Sequence, residues 1–200
     1  MKKWVRYIVL SLVAIILCFL YAHVDKADYI YDNKIDSSEY KVVNINEDSY
    51  FSQVFECTNK ELDGIAIKIL VSNMSDNGKL VYSLQNSDEK IVTQGKVSVS
   101  DIENGRINKI KFSKTLKGEA GELYTIYFKT EDLDEGESIG LYYEDQSKQD
   151  DGLKINDEKK SGTLILRTIT HCFDLETFIV TMGFICYFVI FFKILYRLFA

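Results

Sequence analysis

The sequence has no proline, one tryptophan and two histidines, and its four cysteines include no Cys-x-x-Cys pair. Each shortage closes off a class of function. His23 and His171 fall beside the two longest apolar runs, so the stretch between them offers no imidazole base for a Ser-His-Asp or Cys-His arrangement. The ligand spacing of a structural zinc site is missing as well. Trp4 lies at the N-terminus, so the Cys…Trp…Cys signature of an immunoglobulin domain does not occur, and no tryptophan outside the apolar ends can serve as a sugar platform. The lack of proline goes with 20 lysines against 4 arginines and plentiful isoleucine and asparagine, the composition of an AT-rich bacterial genome.

Charge is also missing, from two runs. They read YIVLSLVAIILCFLYA at 7–22 and TFIVTMGFICYFVIFF at 177–192. With Trp4 and Val5, the first approaches the roughly 20 residues needed to cross a ~30 Å hydrocarbon core. The second is lengthened by the tail to Leu198, with Lys193 able to snorkel. Neither has a polar face. A cleaved signal peptide is the competing reading of the first run, but Leu20 and Ala22 make a poor cleavage site. Lys2, Lys3, Arg6, Lys193 and Arg197 flank the outer ends of the two runs, which under the positive-inside rule makes both termini cytoplasmic and residues 23–172 extracytoplasmic. The expected organisation is a cytoplasmic tip and first transmembrane helix at 1–22, a membrane-proximal stalk at 23–40, a β-domain at 41–170, and a second transmembrane helix with a short cytoplasmic end at 171–200. Residues 23–172 carry 19 basic and 28 acidic side chains, a net charge of −9. Bulk charge therefore argues against binding nucleic acid or an anionic lipid surface, and broad adhesion to anionic wall polymers would need bridging divalent cations.

Period two dominates the middle of the chain. Ile65, Ile67, Ile69 and Val71 alternate with Ala66, Lys68 and Leu70; Leu80, Tyr82 and Leu84 share one face, as do Tyr124, Ile126 and Phe128. Ile139, Leu141 and Tyr143 repeat the pattern, and so do Leu164, Leu166 and Thr168, while 41–46, 50–57, 90–99 and 108–113 are weaker strands. Turn signals at 75–78, 103–105, 117–118 and 151–152 separate the runs. Eight or nine short strands predict a mainly β fold, an antiparallel jelly-roll-like sandwich flanked by two transmembrane α-helices, with immunoglobulin topology as the alternative.

Candidate chemistry is sparse. Tyr142 and Tyr143 are adjacent, so one faces outward and offers a glycan platform. In the acidic run 131–137, Asp132, Asp134 and Glu137 are candidate ligands for a structural calcium, although a solvated loop explains the same charges. Adjacent carboxylates do not establish the geometry of glycoside hydrolysis. His23 and His171 are expected near one membrane surface, as a pH-sensitive or metal-binding pair or as plain interfacial residues. Cys57 and Cys172 lie outside the spans, either paired or as separate thiols. Asn73-Met74-Ser75 is an incidental sequon in a bacterial chain.

Three stretches carry a family likeness: YFSQVFECTNKELDGIAIKIL at 50–70, GKLVYSLQNSDEKIV at 78–92 and LKGEAGELYTIYFKTEDLDEGESIGLYY at 116–143. Their Gln-x-Phe, Leu-x-Gly-Ile and Gly-x-x-Tyr patterns, with a final aliphatic–aromatic strand, resemble the extracytoplasmic β-sandwich between the first two spans of bacterial polytopic membrane proteins linked to cell-surface polysaccharide synthesis. The resemblance spans roughly 45–170 plus the flanking runs. Proteins of that kind continue beyond the second span, which leaves a fragment, a split gene product and a separate small relative all open. These are packing and turn motifs, so no catalytic residue carries over. What the resemblance implies is a noncatalytic envelope module whose sandwich recognises a cell-surface glycan or positions a polytopic glycosyltransferase-like membrane protein. The alternative is an interaction subunit of a larger membrane complex. The lipid bilayer is a partner in either case, and no cofactor beyond the calcium is implied.

Overall fold

The computed structural model describes residues 3–45, 49–73, 77–118, 120–134, 136–146 and 152–199. Lys2, the Met74–Ser75 part of the sequon, Ser75 and Asp76 of the first turn, Glu135 of the acidic run and Asp151 lie outside the described residues. The chain divides into two compact units, Met1–Lys26 with His171–Ala200, and Ala27–Thr170.

The first unit is built on two helices, α1 (Lys3–Tyr21) and α2 (Leu175–Phe199). Both are long and apolar enough to cross a membrane. Cys18 is buried here, and the Phe19 and Phe173 rings stack at 5.2 Å. Asp174 caps α2. Its carboxylate accepts from the Thr177 hydroxyl at 2.6 Å and pairs with Lys26 at 3.0 Å. The Thr177 hydrogen bond, aided by Lys26, holds the Asp174 carboxyl down at about 2.

The strands are β1 (His23–Tyr29), β2 (Lys41–Ile45), β3 (Phe51–Cys57), β4 (Glu61–Ser72), β5 (Lys79–Asn86), β6 (Ile91–Ser98), β7 (Ile107–Lys117), β8 (Glu122–Glu131), β9 (Ser138–Glu144), β10 (Leu153–Ile155), β11 (Glu158–Lys160), β12 (Thr163–Leu164) and β13 (Leu166–Phe173). They form two antiparallel sheets. In one, β2 pairs with β9, β9 with β4, and β4 with β7. In the other, β3 pairs with β8, β8 with β5, and β5 with β6. From β2 to β9 the chain changes sheets at every connection except β5–β6. That order, 2-9-4-7 over 3-8-5-6, is the double Greek key of a jelly roll, and it excludes the immunoglobulin alternative. The remaining strands decorate this frame. The β10–β11 hairpin extends the second sheet beyond β3, while β12, β13 and β1 extend the first.

Alternation puts one face of each sheet inward. Ile65, Ile67 and Ile69 meet Leu80, Leu84, Ile126 and Phe128, all fully buried. At ~25 cal/mol per Å² of apolar surface, each such side chain contributes roughly 1.5–3 kcal/mol. Gly64 of the Leu-x-Gly-Ile motif sits at a bulge between β4 and β7, where a Cβ would lie 2.4 Å from the Ile110 carbonyl oxygen. Gln53 of the Gln-x-Phe motif is buried, and its Oε1 accepts from the Leu164 N–H at 3.2 Å.

Residues 23–40 differ from the expected stalk. They contain β1, hydrogen-bonded to β13, and a single 3-10 turn at Ser37–Glu39 capped by the Asp36 carboxylate. Being a polar edge strand, β1 has no apolar alternation to announce it. The β10–β11 hairpin was also unannounced. Its two-residue loop puts Asn156 and Asp157 at φ 50° and 67°, the left-handed pair that closes such a hairpin.

Candidate functional site

Three outward positions on the first sheet come together in space. On β4, burial of Ile67 and Ile69 turns Lys68 out. On β9, burial of Leu141 and Tyr143 turns Tyr142 out. On β13, burial of Leu166 and Thr168 turns Arg167 out. Register makes them neighbours, since β4 pairs with β9 at Ile69 and Leu141, and with β13 at Ala66 and Arg167.

Tyrosines from β1 and from the segment leading to β2 complete the surface. The Lys68 ammonium lies over two rings, 4.6 Å from the centroid of Tyr142 and 5.2 Å from that of Tyr40. Arg167 stacks on the Tyr29 ring at 4.3 Å and donates to the Tyr31 hydroxyl at 3.1 Å. Tyr29 meets Tyr31 edge-on at 5.5 Å, and Tyr31 meets Tyr40 edge-on at 6.1 Å. Burial, with the neighbouring Tyr31, pushes the Tyr40 phenol above its ordinary value and keeps it neutral. The result is a ribbon of tyrosines, Tyr29, Tyr40 and Tyr142 at the surface and Tyr31 buried among them, in which two cations are held by ring faces. Among the described residues, no acceptor meets the buried Arg167 Nε.

Beside the ribbon lies a groove of about 670 Å³ lined by Tyr31, Tyr40, Lys68, Arg167 and the 103–107 loop. The loop is fixed by its own side chains. Asn108 accepts from the Glu103 N–H at 2.7 Å and donates to the Glu103 and Arg106 carbonyls, while Asn104 accepts from the Val71 N–H at 2.8 Å. Arg106 is thereby displayed at the groove, exposed, with no ion-pair partner among the described residues.

The sequence-derived sites fare differently. Tyr142 belongs to this surface, but Tyr143 does not: it is 6% exposed in the core, so the two tyrosines form no common platform. The physical reason is the strand pleat, which sends neighbours to opposite faces. Asp132, Asp134 and Glu137 do not converge as a calcium ligand set. Asp132 pairs with Lys79 at 2.6 Å, a hydrogen bond that holds its carboxyl below the usual range, and Glu137 accepts from the Asp134 N–H at 2.9 Å. Among the described residues, no group of three or more His, Cys, Asp or Glu is disposed to hold a metal.

His23 and His171 do meet, in the helix-bearing unit, with ring centroids 6.2 Å apart. Nδ1 of His171 lies 2.9 Å from the Asp25 carboxylate, and that of His23 lies 2.8 Å from the Phe19 carbonyl. All four cysteines are free thiols. Sequence reasoning placed Tyr29, Tyr31 and Tyr40 in a stalk and gave no role to Arg106 or Arg167. The signal that was available is the scarcity of arginine itself.

No family model matches the chain, and no curated protein matches it. Among solved structures, that of the infectious bursal disease virus Gx strain is 9% identical with a TM-score of 0.31, covering 74% of this chain and 36% of its own. The VP2 subviral particle of infectious bursal disease virus is 9% identical with a TM-score of 0.29, covering 73% and 39% respectively. This chain thus spans little more than a third of the length of those viral chains.

Proposed function

We propose that this chain is a noncatalytic bacterial envelope protein that carries a glycan-recognising sandwich outside the cytoplasmic membrane on two spans. The helices support the membrane part. Mean hydropathy reaches 2.2 over Trp4–Tyr21 and 2.3 in an 18-residue window of Leu175–Phe199, and protein buries only 6% and 0% of those windows. Leaving each Leu, Ile or Phe there in water would forgo roughly 1.5–3 kcal/mol, which a bilayer recovers. Arg6, Lys193 and Arg197 flank the ends of the spans away from Lys26 and Asp174, and the positive-inside rule assigns those ends to the cytoplasm.

The observation that carries the recognition reading is the set of outward rings Tyr29, Tyr40 and Tyr142, packed around the buried Tyr31 beside an open groove. Flat aromatic faces take the apolar faces of sugar rings, while Ser37, Lys68 and the loop 103–107 offer hydrogen bonds to hydroxyls. The noncatalytic part rests on composition: the sandwich unit contains no histidine, and Glu103 is the single carboxylate among the described residues that line the groove.

The test is binding of envelope polysaccharide fragments to the full chain in lipid nanodiscs. Tyr40→Ala and Tyr142→Ala are expected to weaken binding about three- to tenfold each with the fold intact. Binding unaffected by both substitutions would remove the reading's support.

A further inference from the structure

We infer that the groove selects acidic glycans, recognising a carboxylate or phosphate group on the sugar with Arg106 and Arg167. The inference rests on the glycan reading above and names its substrate class. Nineteen basic residues lie between 23 and 172, and seventeen of them are lysine; the two arginines, Arg106 and Arg167, both line this one groove. Guanidinium offers a planar fork of donors that matches carboxylate and phosphate oxygens two at a time, which an ammonium cannot do.

The local charge opposes that of its surroundings. Three cations, Lys68, Arg106 and Arg167, share the groove with one carboxylate, Glu103, in a segment whose net charge is −9. An acidic polymer is therefore repelled by most of the surface and attracted at this place, a pattern that yields site selection in place of general adhesion.

The cations are also held ready. Tyr29 and Tyr31 fix the Arg167 guanidinium, the Tyr40 and Tyr142 rings fix Lys68, and the Asn104 and Asn108 hydrogen bonds fix the loop that carries Arg106. Lys68 and Arg167 therefore have little side-chain freedom left to lose on binding. Ring faces neutralise no charge, so these cations keep their attraction for an anion.

The experiment is isothermal titration of the full chain in nanodiscs with three probes: an oligogalacturonate, the same oligomer with its carboxylates methyl-esterified, and a poly(glycerol phosphate). Tighter binding of the oligogalacturonate or of the poly(glycerol phosphate) than of the ester, by about tenfold or more, is expected, with the preferred probe telling carboxylate from phosphate. That preference should shrink as salt rises from 50 to 500 mM, on the order of the change in screening length. Arg106→Gln, on an exposed loop, should abolish the preference without touching the fold, and Arg167→Lys should reduce it although the charge is kept. Equal binding of ester and acid, unchanged by Arg106→Gln, would overturn the acidic-glycan inference and leave glycan recognition standing. Binding of none of the three probes, nor of any native envelope glycan, would overturn both.

Discussion

Tyr142 and Tyr143 share a backbone and take opposite faces. Tyr143 is buried beneath the first sheet with the Lys160 ammonium 4.6 Å from its ring, whereas Tyr142 covers Lys68 on the outside. Tyr143→Ala should therefore destabilise the chain by about 3 kcal/mol through the cavity it leaves, while Tyr142→Ala should change stability by less than ~1 kcal/mol and act on binding alone. Chemical denaturation beside glycan titration separates the two effects. Gln53 is a second case in which one side chain decides. Gln53→Met keeps the volume but removes both the acceptor for the Leu164 N–H and the donor to the Val54 carbonyl, and a loss of about 1–3 kcal/mol is expected in the same denaturation experiment. At this scale the sequence was only partly legible. Alternation said that one of the two tyrosines faces out, but a glutamine inside a strand gives no sign that its amide serves a residue 111 positions away.

Elements were legible in proportion to their burial. β4, β5 and β8 put isoleucine, leucine and aromatic side chains at every second position because each has one face in the core. The edge strand β1 and the three-residue strands β10 and β11 have too few inward positions to show a period. The dense carboxylates of the loop between β8 and β9 suggest calcium ligands or a solvated loop equally well, and density does not reveal that Lys79 answers Asp132. Melting of the full chain in nanodiscs should accordingly be the same in calcium as in chelator. A rise in melting temperature with calcium would contradict the pairing described here. At the head of α2, the capping carboxylate of Asp174 titrates at about 2 against an ordinary value of 3.8. Because the folded value lies below the unfolded one, the cap stabilises the helix above the ordinary value and loses its effect as pH falls through about 2. Amide exchange at the first turn of α2 should rise across that acid window, and Asp174→Asn should flatten the rise.

For the whole molecule, the path of the chain could not be seen from any single strand. Period two and turn spacing predict a sandwich, yet the order 2-9-4-7 over 3-8-5-6 depends on pairings between residues as distant as Val42 and Tyr142. The candidate site was invisible for the same reason. Its members, Tyr29, Tyr31, Tyr40, Lys68, Arg106, Tyr142 and Arg167, come from six separate stretches, and β4, β9 and β13 must lie side by side before they form a surface. Glycan recognition in the envelope requires that surface to face the outside of the cell. The most direct test is cysteine accessibility in intact cells, with the four native cysteines replaced and a single cysteine introduced as Ser87→Cys or Arg197→Cys, both exposed positions. A membrane-impermeant thiol reagent should label Ser87→Cys in intact cells and Arg197→Cys only after permeabilisation. Labelling of Ser87→Cys only after permeabilisation would put the sandwich in the cytoplasm and contradict the account.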